Sequence, residues 1–282
     1  MFWSPRFSRY CSRLTGLVLT ILTIAANGSA AYKLVWSDEF DGSGAIDETK
    51  WGYQIGDGGS NGWGNHEGEF YTSSTKNVFR DNGGLVIRAI AEPLGGKQYT
   101  SARIRTQRKG DWKYCKVEFR AKLPRGKGLW PAVWMMPTDD TYGGWPRSGE
   151  QDIVEIRGQE PNKVLGTLHF GDANGNHQQL GKTLDSQDDF TADFHQFTYE
   201  WTPTTFTWSV DGKPYSTQQK GGKPFDQRFH LILNVAVGGD FLGYPDASTK
   251  FPQEMRVDYI RVYQDPEIES ANTASTGTLN SN

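Results

Sequence analysis

Cysteine is nearly absent from this chain: its 282 residues carry two, Cys11 and Cys115. Cys11 falls in a stretch that reads as a cleaved leader, so the mature chain has no disulfide framework and must be stabilised by a sizeable core. Cys115 sits in a strand pattern and reads as buried filler rather than a nucleophile. An excess of basic charge is also missing. Lys and Arg number 30 against 33 Asp and Glu, a formal net charge of −3, and Arg6, Arg9 and Arg13 with no acid lie in the first 30 residues. That balance gives nucleic acid no electrostatic footprint. Long amphipathic helical repeats are lacking, which excludes a helical bundle, and no internal repeat is visible. The five histidines, His66, His169, His177, His195 and His230, are scattered without zinc-ligand spacing.

What is present begins with a leader. The three arginines precede an apolar run from Leu14 to Ala26, followed by small residues through Ala31. This is the layout of a secretory signal peptide over residues 1–30, and the run is too short for a comfortable membrane span of about 20 residues. A secreted protein is expected, without membrane association after cleavage. Glycine (33), tryptophan (10) and an aromatic content of 13% point to strands, turns and aromatic-lined surfaces. Strands are predicted at Tyr32–Phe40, Gly84–Ala91, Tyr114–Leu123, Leu129–Met136, Lys163–Phe170, Phe194–Trp201, Thr205–Val210, Phe229–Val237 and Met255–Tyr263. Between Lys116 and Leu123 the alternation of apolar and charged residues is clean, so that strand has a wet and a dry face. Asp211–Gly212 is a two-residue hairpin signal. Many antiparallel strands without βαβ alternation imply an all-β fold of two packed antiparallel sheets, a sandwich or jelly roll, in one domain over residues 31–264. The Ser-, Thr- and Asn-rich tail, 265–282, has little to bury and is expected to be disordered.

The chain's densest chemistry lies in Glu150-Gln151-Asp152-Ile153-Val154-Glu155. Alternation puts Glu150 and Asp152 on one face of a strand and Glu155 on the other. A β-bulge at Ile153–Val154 would return Glu155 to the face of the other two. Bunched carboxylates repel one another and raise at least one pKa, which is costly unless used; the alternative readings are a solvated edge strand or a cation site. Paired carboxylates on a concave sheet face flanked by tryptophans suit glycoside hydrolysis, in which one carboxylate attacks the sugar carbon and a protonated partner gives the leaving oxygen its proton. Asp152, between them, would hold the nucleophile's hydrogen bonding and keep Glu155 protonated. Trp63, Trp130, Trp134 and Trp145 offer ring faces for sugar stacking, with Asn65, Glu67, Arg103, His169 and Asn234 as polar contacts. Gly58-Gly59-Ser60-Asn61-Gly62 matches a nucleophile elbow in form, but no apolar strand precedes it and no helix follows.

The motif Glu150–Glu155, preceded by Gly128-Leu129-Trp130-Pro131-Ala132-Val133-Trp134-Met135, resembles glycoside hydrolase family 16, and within it the laminarinase-like endo-β-1,3-glucanases. Trp36-Ser37-Asp38-Glu39-Phe40, Trp63-Gly64-Asn65 with Glu67 and Tyr71, Ser101-Ala102-Arg103-Ile104 and Val257-Asp258-Tyr259-Ile260-Arg261-Val262-Tyr263 extend the resemblance from about Leu34 to Gln264. It implies a β-jelly roll with a substrate cleft on the concave face, a retaining mechanism without a catalytic cofactor, and a β-glucan substrate. Glu150 resembles the nucleophile, Asp152 the assisting acid and Glu155 the general acid/base. Asn65, Glu67, Arg103, Trp130, Trp134, Trp145 and His169 resemble the lining of the cleft. Glu39 and Asp258 resemble the side-chain ligands of a structural calcium. A secreted monomer is expected, cleaving laminarin-like β-1,3-glucan first and mixed β-1,3-1,4-glucan second. Two alternatives share the fold: a glucan-recognition protein that binds without cutting, and a glucan transglycosylase. One departure is Gln151, at a position usually aliphatic, pointing away from the cleft; either a local hydrogen bond or reduced stability should follow.

Overall fold

The computed structural model describes Met1 and residues 32–268. The predicted leader and most of the predicted tail lie outside them. In chain order the strands are β1 Lys33–Asp38, β2 Gly52–Tyr53, β3 Glu69–Tyr71, β4 Val78–Asp81, β5 Gly84–Ala89 and β6 Tyr99–Ser101. There follow β7 Arg103–Arg105, β8 Asp111–Trp112, β9 Cys115–Lys122, β10 Leu129–Pro137, β11 Glu150–Glu155 and β12 Lys163–Gly171. The last six are β13 His177–Asp185, β14 His195–Trp201, β15 Thr205–Val210, β16 Lys213–Gln219, β17 Phe229–Val237 and β18 Gln253–Gln264.

They form two large antiparallel sheets, the expected jelly-roll sandwich. One sheet runs β16-β15-β14-β9-β18-β5-β4, with β1 on β18; the other runs β13-β12-β11-β10-β17-β7-β2, with β8 on β17. A parallel pair, β3 and β6, stands apart. The even spacing of β9 decides its orientation: Cys115, Val117, Phe119 and Ala121 are buried, while the residues between them are partly open. Between the sheets lies a core rich in large aromatics, among them Trp51, Trp201, Trp208, Tyr199 and Phe206. Such rings bury 150–250 Å² each, which accounts for a stable core without disulfides.

Among the described residues β17 differs from every other strand in being buried at all nine positions. Phe229, Leu231, Leu233, Val235 and Val237 join the core. The intervening residues, His230, Ile232, Asn234 and Ala236, lie beneath other side chains on the sheet's opposite face. That roofed face continues across β10 to the acids of β11. Eight strands were not predicted: the short β2, β3, β4, β6, β7 and β8, and the longer β13 and β16. β16 follows from the Asp211–Gly212 hairpin, but β13 is exposed along most of its length, so it carries no buried stripe to betray it.

Candidate active site

The bulge lies where parity requires it. On the β10 side, Val133 pairs with Val154 and the next residue, Trp134, pairs with Asp152, so Ile153 is skipped. On the β12 side, Asp152 pairs with Thr167 and Glu155 with Leu165, leaving Ile153 and Val154 opposite Gly166. Ile153 and Val154 are both 1% exposed and face the core. Gly166 is required because the Trp208 indole sits only 2.5 Å from where a Cβ would stand. The same indole donates through Nε1 to the Asp152 carbonyl at 2.9 Å, satisfying a group next to the irregularity. Glu150, Asp152 and Glu155 therefore share the face turned from the core.

Oxygen atoms of Glu150 and Asp152 and a ring nitrogen of His169 lie within 4.8 Å of one another. Burial pushes the Glu150 carboxyl up to about 8, reinforced by the Asp152 charge and opposed by His169. Asp152 is raised well above the carboxylate range by burial and by Glu155. Glu155 is raised by burial and opposed by a hydrogen bond from Trp130. Burial thus shifts all three carboxyls of this cluster towards their protonated forms. A proton on Asp152 removes the charge that most opposes ionisation of Glu150, so neutral Asp152 and ionised Glu150 form a self-consistent pair.

The walls follow from strand register. Trp130 and Trp134 lie on the cleft face of β10. Trp130 donates from Nε1 to Glu155 Oε1 at 2.9 Å, and its ring packs against Phe241 at 4.7 Å. Trp134 donates to Asn234 Oδ1 at 2.8 Å. The Arg103 guanidinium is held between the Trp134 and Trp63 rings, 4.7 Å from each centroid, and bonds Gln54 at 2.7 Å. Asn65 donates to Glu67 at 3.3 Å. Tyr71 donates to Glu67 and accepts from Asn234, both at 3.1 Å. These bonds join Asn65, Glu67 and Trp134 into one polar network. Behind it Glu69, fully buried and with its carboxyl raised well above the usual range by burial and the Glu67 charge, accepts the Val237 amide at 2.6 Å.

The predicted lining residues gather around the acids. Trp145, 52% exposed, presents its ring at the rim. His169 lies opposite Glu150 on β12, with Nε2 3.2 Å from Asp152 Oδ2. Sequence reasoning missed three contributors: Gln54, Phe241 and His177. None carries a local signal, because each reaches the site from a separate strand or loop. The histidines that look scattered in sequence include one pair in contact, His169 and His177, joined across the β12–β13 hairpin at 2.7 Å.

Gln151 keeps its place in register and is fully buried on the core side. Its Oε1 accepts from Tyr199 at 2.5 Å, while its Nε2 has no partner among the described residues. The two acids expected to hold calcium are differently employed. Arg261 grips both oxygens of Glu39, at 3.0 and 2.7 Å, and Arg120 pairs with Asp258 at 2.9 Å. Carboxylates neutralised by separate guanidiniums do not fit a calcium site, which needs several unpaired oxygens converging on one point.

Comparison with known proteins adds a consistent set of similarities. The sequence pattern of Glycosyl hydrolases family 16 matches residues 66–261. A glucan endo-1,3-beta-glucosidase of Cryptopygus antarcticus is 44% identical over 241 residues, covering 79% of this chain and 87% of that protein. A beta-glucanase of Rhodothermus marinus is 43% identical over 250 residues, covering 83% and 85%. The crystal structure of the laminarinase catalytic domain from Thermotoga maritima MSB8 superposes with a TM-score of 0.76 at 45% identity, covering 83% of this chain and 98% of that one.

Proposed function

Because the chain belongs to glycosyl hydrolases family 16 and is a glycoside hydrolase, we propose that it cleaves internal β-1,3-glucosidic bonds of laminarin-like β-glucans with retention of configuration. The observation that carries this reading is the Ile153 bulge, which gathers Glu150, Asp152 and Glu155 on one face beside Trp130. In the first step Glu150 attacks the anomeric carbon while Glu155 gives its proton to the departing glycosidic oxygen. The bond to that oxygen breaks and a glycosyl ester on Glu150 forms. In the second, Glu155 takes a proton from water, whose oxygen displaces the ester and regenerates Glu150. Neutral Asp152 steadies the Glu150 carboxylate.

Trp130, Trp134 and Trp145 offer flat surfaces to pyranose faces, while Asn65, Glu67, Arg103 and His169 meet hydroxyls. No step calls for a cofactor. The substrate preference rests on the relatives' β-1,3-glucanase names, with mixed β-1,3-1,4-glucan as a secondary substrate. Residues 1–30 have the layout of a secretory leader, which suits a polymer met outside the cell.

The test is reducing-end release from laminarin by purified protein beside Glu150→Gln and Glu155→Gln. Turnover in the parent that collapses in both variants supports the reading. Laminarin binding without release would instead make this a glucan-recognition protein. Products longer than the substrate would make it a transglycosylase.

A further inference from the structure

A line of rings leads from the buried acid to the surface. Asp152 Oδ2 lies 3.2 Å from His169 Nε2, His169 Nδ1 lies 2.7 Å from His177 Nε2, and the His177 ring packs against Trp145 at 4.9 Å. The two imidazole planes are inclined by only 18°, so the rings lie edge to edge with the shared proton near both planes. Asp152 is 3% exposed and His177 is open to solvent. Asp152 Oδ2 accepts no hydrogen bond among the described residues, so the 3.2 Å approach of His169 Nε2 is a close polar contact without the direction of a hydrogen bond.

Two facing ring nitrogens 2.7 Å apart must share one proton, so the tautomers of His169 and His177 are locked together. In one arrangement His177 donates from Nε2 to His169 Nδ1, and the His169 proton sits on Nε2, 3.2 Å from Asp152 Oδ2. In the other, His169 donates from Nδ1 to His177, and its bare Nε2 draws a proton from Asp152 onto Oδ2. Only the first leaves Oδ1 as the oxygen that carries the Asp152 proton.

We propose that His177 is a positioning residue for the reaction: by donating to His169 Nδ1 it holds the His169 proton on Nε2, and so decides which oxygen of Asp152 is protonated. This rests on the hydrolase reading above. Burial and the neighbouring His169 lower the His177 pKa, which keeps the ring neutral and able to choose a tautomer. The charged groups around this stretch come from three directions. Arg147, from the loop before β11, donates to the Asn174 carbonyl and lies against Gly175. Asp172, in the β12–β13 turn, is engaged by the Asn174 and Asn176 amides. Glu150 faces His169 across the strand pair. None of them is hydrogen-bonded to His177, so the imidazole pair sets its own proton arrangement.

His177→Phe keeps a ring between His169 and Trp145 but cannot donate, whereas His177→Gln restores an N–H without the ring. Nitrogen-15 correlation spectra of the free protein read the His169 tautomer, and laminarin turnover reads its consequence. The expected result is Nε2–H on His169 in the parent, loss of that preference in His177→Phe with kcat down about tenfold and KM little changed, and recovery of most of the rate in His177→Gln. Tenfold is the low end of what outer partners of metal-bound histidines supply, taken here as the scale for orienting an imidazole. The inference is overturned if the parent carries the His169 proton on Nδ1, if His177→Phe keeps both tautomer and rate, or if a folded His177→Gln is as slow as His177→Phe. Should His177→Phe not fold, the parent spectrum and His177→Gln still decide. A parent that releases no sugar refutes the hydrolase reading, and the tautomer in its spectrum then stands or falls separately.

Discussion

The Gln151–Tyr199 contact lets the stability of the site's supporting layer be predicted from one bond and one orphaned group. Both residues are fully buried; Tyr199 donates to Gln151 Oε1, and Gln151 Nε2 has no partner among the described residues. A buried polar group left unsatisfied costs about 1–3 kcal/mol, whereas replacing both partners by apolar groups of similar shape is neutral or stabilising. Tyr199→Phe strips the last partner from Gln151 and should destabilise by about 1–3 kcal/mol. Gln151→Leu removes the orphaned N–H but orphans the Tyr199 hydroxyl, so the two effects nearly cancel, to within about 1 kcal/mol. The double variant leaves nothing unpaired and should exceed the parent by about 1–3 kcal/mol. At roughly 2–4 °C per kcal/mol for a domain of this size, Tyr199→Phe lowers Tm by roughly 2–12 °C and the double variant raises it by a similar amount. Thermal unfolding of the four proteins closes the cycle. If Tyr199→Phe is neutral, or the double variant falls below both single ones, the bond does not have this value and the reasoning fails.

Three further expectations concern the site and its surroundings. Trp130→Phe removes the N–H that lowers the Glu155 pKa, so that pKa rises. Because Glu155 must be protonated to act as the acid, the alkaline limb of the kcat/KM profile on laminarin should move to higher pH, and an unmoved limb would dissociate Trp130 from the acid. Arg103→Lys loses the stack between Trp63 and Trp134 and the Gln54 bond; a cation–π contact alone contributes about 0.5–2 kcal/mol, and KM for laminarin should rise about tenfold. Glu39→Gln breaks a pair whose side chains are 39% and 34% exposed; the loss should stay below about 1 kcal/mol, and calcium or a chelator should leave the parent Tm unchanged. A calcium-dependent rise in Tm abolished in Glu39→Gln would restore the metal assignment.

How much of this was legible beforehand depended on whether a residue's neighbours are local. The bulge follows from parity alone, since Glu155 stands an odd number of positions from Asp152, and the strand pairings place the irregularity at Ile153. The sandwich was readable because strands such as β9 alternate cleanly. Contacts made between distant strands were not readable. Arg103 reads as a polar residue on a short strand, and nothing local reveals the two indoles that enclose it. The His169–His177 pair depends on a hairpin whose outer strand, β13, has no buried stripe. Glu39 and Asp258 look alike as acids on a strand; only the approach of Arg261 and Arg120 from neighbouring positions shows them to be occupied.

The most direct test of the account is the anomeric configuration of the first product, followed by proton NMR during the opening minutes of laminarin hydrolysis. Two carboxylates on one face of a bulged strand, Glu150 attacking and Glu155 first donating and then accepting a proton, predict that the β-anomer appears first and mutarotates to the equilibrium mixture afterwards. An α-anomer released first would contradict it, because a single displacement by water would then be required, and Glu150 could not be the residue that bonds to the sugar.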